Sequence, residues 1–309
     1  MRAIRYDRYG GPEVLQLVDL PQAPLAPDEI RVALSHASVT PLDCKLRAGL
    51  LKAHFTVDFP KVPGRDGAGV VSEVGPAVTD FAVGDRVCLL ARHGTQGSYA
   101  SERVSYADDL VPIPGGLSDE AAASLVNAGL SAQVSVFETA RIEAGMKVLV
   151  HAGAGAVGGL IVQLCRHLGA DVTATCRAAN RDYVRALGAA RAIAYDTEDF
   201  ATLRDQDVVF DLVGGETHAR SYPVLKKGGQ LVWLVAAPVV DRGAEYGVEV
   251  TRAMIADRRE PVEAILTMVA KGEIVPQIAG ILSLAEAAEA HRRMEAGEVT
   301  RGRLLLATG

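Results

Sequence analysis

What the chain has little of narrows its class. Four cysteines in 309 residues (Cys44, Cys88, Cys165 and Cys176) are too few for a disulfide scaffold. No two of them form C-x-x-C, so neither a thioredoxin-like redox site nor a zinc ribbon is indicated. There is no dense basic run. Lys+Arg 32 stand against Asp+Glu 38 for a net charge of −6, and Arg258-Arg259 lies between Asp257 and Glu260. That mixture reads as solvated helix faces and excludes a nucleic-acid footprint. The first residues, MRAIRYDRYGG, lack the apolar core of a leader peptide. With free thiols, this points to the reducing cytoplasm. One uncharged stretch, Val148 to Cys165, has the length to raise a membrane helix. It carries Gly153, Gly155, Gly158 and Gly159 with His151 and Gln163, and splits into two periodicities, so no span is expected. Hydrophobic residues at 49% and charged residues at 23% exclude disorder for most of the chain.

What is present divides by rhythm. The length, about twice the ~150-residue prior for one domain, predicts one large or two ordinary domains. The first hundred residues read as a β-rich module. Apolar runs at Ile30–Leu34, Gly69–Val74 and Asp85–Leu90 alternate with turn signals at Gly10-Gly11-Pro12 and Pro63-Gly64. Ser118 is placed to cap a helix opened by Asp119 and Glu120. From Lys147 the pattern becomes strand–helix–strand. A strand over Lys147–His151 precedes a helix from about Ala156 to Leu168, whose Val157, Leu160, Ile161, Leu164 and Leu168 recur at three and four. Further strands are predicted at Asp171–Cys176, Ala192–Tyr195, Val208–Val213 and Leu231–Val235. Repeated βα units make this an α/β fold with a doubly wound parallel sheet. The tail predicts helices over Pro261–Lys271 and Ser283–Glu295, the second with a Ser283/Glu286 capping box, then a strand over Arg303–Ala307.

Gly153-Ala154-Gly155-Ala156-Val157-Gly158 fits G-x-G-x-x-G between a strand and an amphipathic helix, the context of a dinucleotide fingerprint. Gly153 would permit the tight turn, Gly155 the approach of backbone to a pyrophosphate, and Gly158 close helix–sheet packing. The free N–H groups at the helix start would face the phosphates. An NAD-binding fold carries an acid at the tip of the next strand. Here the tip reads Thr175-Cys176-Arg177, with Asn180 and Arg181 following. Positive charge and donors at that place predict NADP(H) over NAD(H).

These motifs bring a family into view. The chain resembles the medium-chain dehydrogenase/reductase superfamily and, within it, the zinc-independent quinone oxidoreductase group related to zeta-crystallin. The likeness runs nearly end to end. It takes in Tyr9–Leu15, Pro63-Gly64-Arg65-Asp66-Gly67, Val83–Val87, Ala128–Ala132, Val150–Gly158, Asp211–Thr217 and Ala287-Ala288-Glu289-Ala290-His291. The resemblance implies a Rossmann sheet plus a GroES-like β-rich catalytic domain. The GroES-like domain would comprise 1–117 and 259–309, with an NADP-binding domain at 118–258 and the substrate cleft at their junction.

Zinc-dependent members carry Gly-His-Glu as metal ligands where this chain has Gly64-Arg65-Asp66. A guanidinium has no lone pair for a metal, so no metal is expected. Without a Lewis acid, the chemistry left open is hydride transfer to a quinone or an α,β-unsaturated carbonyl compound. The family's Asn-Pro facing the nicotinamide is Thr40-Pro41 here, which makes Thr40 the candidate catalytic residue. The family's nearby tyrosine is not evident, and His54 is a candidate donor in its place. The resemblance further implies Asn127 and Ser131 beside the nicotinamide half, with Val213, Leu234, Val235 and Ala236 around the ring and Arg252 near the cofactor. Gly247 to Ile255 resembles an edge strand through which such proteins form homodimers. Two other readings share these motifs: a trans-acting enoyl thioester reductase, and a non-catalytic NADPH-binding protein.

Overall fold

The computed structural model describes residues 1–92, 94–235 and 239–309. The N-terminal part is built from β1 (Arg2–Arg5), β2 (Gln16–Asp19), β3 (Glu29–Val39), α1 (Pro41–Arg47), β4 (Asp66–Val74), β5 (Arg86–Leu90), β6 (Glu102–Tyr106) and β7 (Leu110–Pro112). α1 is sharply defined at its start. Thr40 caps it in a reciprocal box with Asp43, and Pro41 supplies a first residue whose missing N–H costs nothing there. α2 (Asp119–Gln133) follows, its first turn closed by the Ser118 hydroxyl accepting from the Ala121 N–H. It continues as one π-helical segment, Val134–Ala140, before Arg141 turns left-handed.

The middle of the chain alternates strand and helix with one exception, a 3₁₀ turn at Phe200–Thr202 in place of a helix. β8 (Lys147–Val150), α3 (Ala156–His167), β9 (Asp171–Cys176), α4 (Arg181–Ala186), β10 (Arg191–Ala194), β11 (Gln206–Asp211), α5 (Gly215–Ser221), β12 (Leu225–Trp233), α6 (Gly243–Tyr246) and β13 (Glu249–Arg252) form one six-stranded parallel sheet. Its order is β10-β9-β8-β11-β12-β13. Counted within the sheet this is 3-2-1-4-5-6, the doubly wound dinucleotide order, whose switch point lies between β8 and β11. The expected α/β architecture with a second, β-rich module is the architecture present.

The tail adds α7 (Arg259–Ala270), β14 (Ile278–Ser283), α8 (Ala287–Glu295) and β15 (Arg303–Ala307). β15 inserts antiparallel against β3, completing the path β14-β15-β3-β4-β5-β7, with β6 also on β3. α7 does not join that sheet. Its Val262, Ile265, Leu266 and Val269 share a core with α2 and α3, together with Ala68, Cys88, Leu90 and Val111 of the β-rich module. α2 and α7 thus pack against both modules. β14 was not foreseen, because Ile278–Ser283 presents no buried face of its own.

Candidate active site

A cleft of about 460 Å³ opens where the sheets meet. One wall is Gly155, Ala156, Val157 and Gly158, and another is Leu212 and Val213 after β11 with Leu234 and Val235 after β12. The walls lie past the carboxyl ends of β8, β11 and β12, around the switch point between β8 and β11, where α/β sheets bind ligands. The floor comes from the β-rich module: Thr40, Pro41, Leu42, Lys45 and Arg303, with Asn127 and Ser131 from α2. Met294, Val299 and Gly302 close it from the tail.

The Gly-rich loop owes its shape to close backbone contact. A Cβ on Gly158 would lie 2.2 Å from the Ala152 carbonyl oxygen. A Cβ on Gly153 would meet the Ala174 Cβ at 2.6 Å. The left-handed residue of the turn is Ala152, at φ 53°, so the tight turn expected of Gly153 is made one residue earlier. Gly153 is instead required by the neighbouring strand. Gly155 is the N-cap of α3, and no side chain caps its first turn, which leaves N–H groups at the cleft for an anion. This uncapped terminus, in a cradle that a Cβ would fill, fits a dinucleotide pyrophosphate. The loop is also stapled to the tail, because the Gly302 N–H donates to the Ala154 carbonyl at 2.9 Å.

A buried polar layer holds the loops from below. Asp211 accepts from the Val213 and Gly214 N–H groups at 2.9 and 2.8 Å, and its other oxygen meets His218 Nδ1 at 2.7 Å. His151 sits between Thr175 Oγ1 at 3.1 Å and Ser221 Oγ at 3.0 Å. Burial lowers the His151 pKa to about 4, so the ring is neutral at pH 7. Thr175 is thereby spent on the loop. It is buried, and its hydroxyl also accepts from the Ala152 N–H.

The other expected residues divide. Arg177 is exposed at the β9 tip, with Nε donating to Tyr195 Oη at 3.1 Å. Arg181 pairs with Glu198 at 2.8 Å. Asn180 is buried and donates to the Thr300 carbonyl, tying α4 to the tail. A carboxylate stands near this corner from the next strand, but Asp196 is engaged by the Ala178 N–H at 3.0 Å. Arg252 lies away from the cleft, stacked 5.4 Å over the Trp233 ring on the outer strand. His54 is exposed on the loop after α1 and does not line the cleft. Ala236 lies outside the described residues.

Thr40 is on the cleft as expected, yet its hydroxyl is committed. It donates to Asp43 Oδ2 at 2.7 Å and accepts from the Asp43 N–H at 3.1 Å. Asp43 is itself buried with Asp66 and Arg303 nearby, and burial pushes its carboxyl up to about 6 against the pull of the Thr40 hydroxyl. Burial raises Asp66 as well, while Ser38 donates to it at 2.8 Å. None of these acidic partners was read from the sequence. Asp43 stood in plain view three residues past Thr40, and the capping-box spacing was the signal that could have found it.

Two family models match: the alcohol dehydrogenase GroES-like domain over residues 26–121 and the zinc-binding dehydrogenase over 187–306. A 2-haloacrylate reductase of Burkholderia sp. is 32% identical over 96% of each chain. A quinone oxidoreductase of Pseudomonas aeruginosa is 32% identical over 99% of each. The chain belongs to the quinone oxidoreductase group of the medium-chain dehydrogenase/reductase superfamily. The structure of the Escherichia coli quinone oxidoreductase complexed with NADPH superposes with a TM-score of 0.91 at 29% identity, covering 99% of this chain and 100% of that one. Members of this group are oxidoreductases.

Proposed function

We propose that the chain is an NADPH-dependent, zinc-independent reductase of quinones or α,β-unsaturated carbonyl compounds. The chain is an oxidoreductase and its cofactor is NADP(H). The observation that carries the reading is the meeting of an uncapped, Cβ-intolerant helix start with an apolar-walled cleft at the switch point. The α3 N–H groups would hold the pyrophosphate, Asn127 and Ser131 the nicotinamide half, and Arg177 with Tyr195 the 2′-phosphate. Bound there, the reduced nicotinamide supplies a hydride, and this chain's residues orient the acceptor and keep the cleft apolar.

Zinc independence is supported by donor chemistry. Arg65 stands at the ligand position and pairs with Asp257 at 2.6 Å. Burial pushes the Cys44 thiol up to about 12, far from a thiolate ligand, and residues 187–306 contain no cysteine. Among the described residues, no three His, Cys, Asp or Glu side chains gather to hold a metal, and no helix is long and apolar enough to cross a membrane. Four buried free thiols suit the cytoplasm, where we place the chain.

The test follows NADPH and NADH oxidation with 1,4-benzoquinone, 9,10-phenanthrenequinone, a simple enone and a crotonyl thioester, alongside metal analysis. Turnover of quinones or the enone with NADPH in metal-free protein is expected. Turnover confined to the thioester favours the enoyl reductase reading. Tight NADPH binding with no turnover favours a binding protein, and stoichiometric zinc overturns the metal assignment. We also propose a homodimer through β13, which among the described residues pairs only with β12 and leaves Met254 exposed beside it. A monomeric mass by light scattering would remove that assignment.

A further inference from the structure

The first turn of α1 is a partition between two spaces. On one side is the cleft, lined by Thr40, Pro41, Leu42 and Lys45. On the other is a small cavity of about 50 Å³, lined by Asp43 and Leu46 with Tyr6, Lys61 and Arg65. The hydrogen bond from Thr40 Oγ1 to Asp43 Oδ2 joins the two sides at 2.7 Å. Both residues are buried, and the same carboxyl oxygen accepts from the Thr40 N–H at 2.9 Å.

We propose that Thr40 and Asp43 form a proton relay through the wall of the cleft, with Thr40 the group that protonates the reduced acceptor and Asp43 the group that reloads it. The proposal rests on the reductase reading above and deepens it. When an acceptor C=C–C=O gains a hydride at its β-carbon, the electron pair displaced from the double bond leaves an enolate that must take a proton. The Oγ–H bond of Thr40 breaks as the new bond to the enolate forms. The Oδ2–H bond of Asp43 breaks as Oγ–H is remade. The Asp43 carboxylate then takes a proton from water on the small-cavity side. One proton enters for each hydride delivered, so the balance closes with solvent as the proton source.

The geometry decides the direction of the hydrogen bond. With Asp43 ionised, the Thr40 proton is held by the carboxylate and points away from the cleft. With Asp43 protonated, the carboxyl donates, and Thr40, which has a single proton, is free to donate elsewhere. The groups facing Asp43 set the balance. Burial pushes its carboxyl up to about 6, the Thr40 hydroxyl draws it down, Asp66 on β4 raises it, and Arg303 on β15 lowers it. Arg47 and Cys44 on α1 also face it, along with Tyr6 and Tyr99, and Glu295 on α8 pairs with Arg47. This places the acid form within reach of neutral pH, which an exposed capping aspartate would not be.

The test begins without cofactor. Infrared difference spectra of the free protein between pH 5 and pH 7.5 should show a protonated carboxyl band that Asp43→Asn removes; no band lost in that variant overturns the relay. With an enone and saturating NADPH, kcat of the native protein should fall as pH rises through about 6, with a solvent deuterium effect. A flat profile between pH 5 and 8 overturns it. Thr40→Val should lower kcat roughly 100-fold with NADPH affinity unchanged, whereas Thr40→Ser should stay within about threefold. Asp43→Asn, which retains an acceptor for the Thr40 N–H, should lower kcat and flatten the profile. If either variant fails to fold, the native spectra and profile still decide. Unimpaired turnover in Thr40→Val overturns the relay and leaves the reductase reading intact. No NADPH oxidation with any acceptor overturns both.

Discussion

The two halves of the cleft are made from opposite materials. The nucleotide wall is the stretch Gly153 to Gly158, whose function lies in backbone N–H groups and in the missing side chains of its three glycines. The opposing floor is charged and dispersed. Thr40 and Arg303 line it and Asp43 and Asp66 back it from beneath; the four come from α1 and its cap, β4 and β15, and all are buried. A backbone-built site tolerates no added atoms but is indifferent to pH. A floor of buried carboxyls and a guanidinium is instead tuned by proton occupancy, because burial makes each charge depend on its neighbours. The first can be written as a local motif; the second exists only once β15 lies against β3.

The contrast can be broken at its strongest point with Gly158→Ala. Its Cβ would press on a backbone carbonyl that cannot swing aside. We expect about 2–3 kcal/mol lost, seen as a roughly 100-fold weaker NADPH titration or a lower Tm. An unchanged affinity would show that the loop is not the phosphate cradle. Next in size, Arg177→Glu should weaken NADPH by about 10–100-fold while leaving NADH within about threefold, by fluorescence titration with both cofactors. Equal loss for both would place Arg177 outside the 2′-phosphate site.

The pH arm is smaller and has a definite sign. Burial lowers His151 to about 4, and burial with the nearby Arg47 lowers His291 to about 3. The native state therefore binds fewer protons than the unfolded state between these values and about 6.5, so stability falls as pH drops through that window. Asp43, raised to about 6, acts in the reverse sense, losing stability as pH rises from about 4 to 6. Asp66, also raised by burial, acts with Asp43; we expect the two histidines to outweigh the two carboxyls, so Tm should decline from pH 6.5 to 4.5, and His291→Gln should make the decline shallower. A Tm that rises on acidification would show that the carboxyl floor dominates.

Arg65→Met removes an ion pair to Asp257 that lies at the surface on the Asp257 side. It should cost about 1 kcal/mol by chemical denaturation and leave the protein metal-free. Gly115→Ala meets nothing within 4 Å and should change stability by less than about 0.5 kcal/mol. A large effect there would mean that glycine loss in general, not the cradle in particular, drives the Gly158 result.

The readable parts of the molecule share a physical character. β8, α3 and β9 matched their expected spans because apolar periodicity and adjacent glycines are written within about thirty residues. The Ser118 cap and the Ser283/Glu286 box were legible for the same reason, since donor and acceptor lie three residues apart. Less legible were residues whose meaning depends on distant partners. Thr175 looked like a ligand-facing tip residue and proves to hold the loop through His151 and the Ala152 N–H. Asn180 looked like a phosphate donor and ties α4 to Thr300. Arg252 looked close to the cofactor and stacks on Trp233 along an outer strand.

The sequence by itself determined the strand–loop–helix that cradles a dinucleotide, the lack of an acid at the β9 tip, and the order of modules. Each follows from local sterics, from charge at one position, or from hydrophobic period. Tertiary structure alone decided that the Thr40–Asp43 cap is buried in a wall between two cavities, and that Asp66 and Arg303 face it. No local pattern encodes those facts, because burial, and with it the proton occupancy of a carboxyl, is a property of everything packed around it.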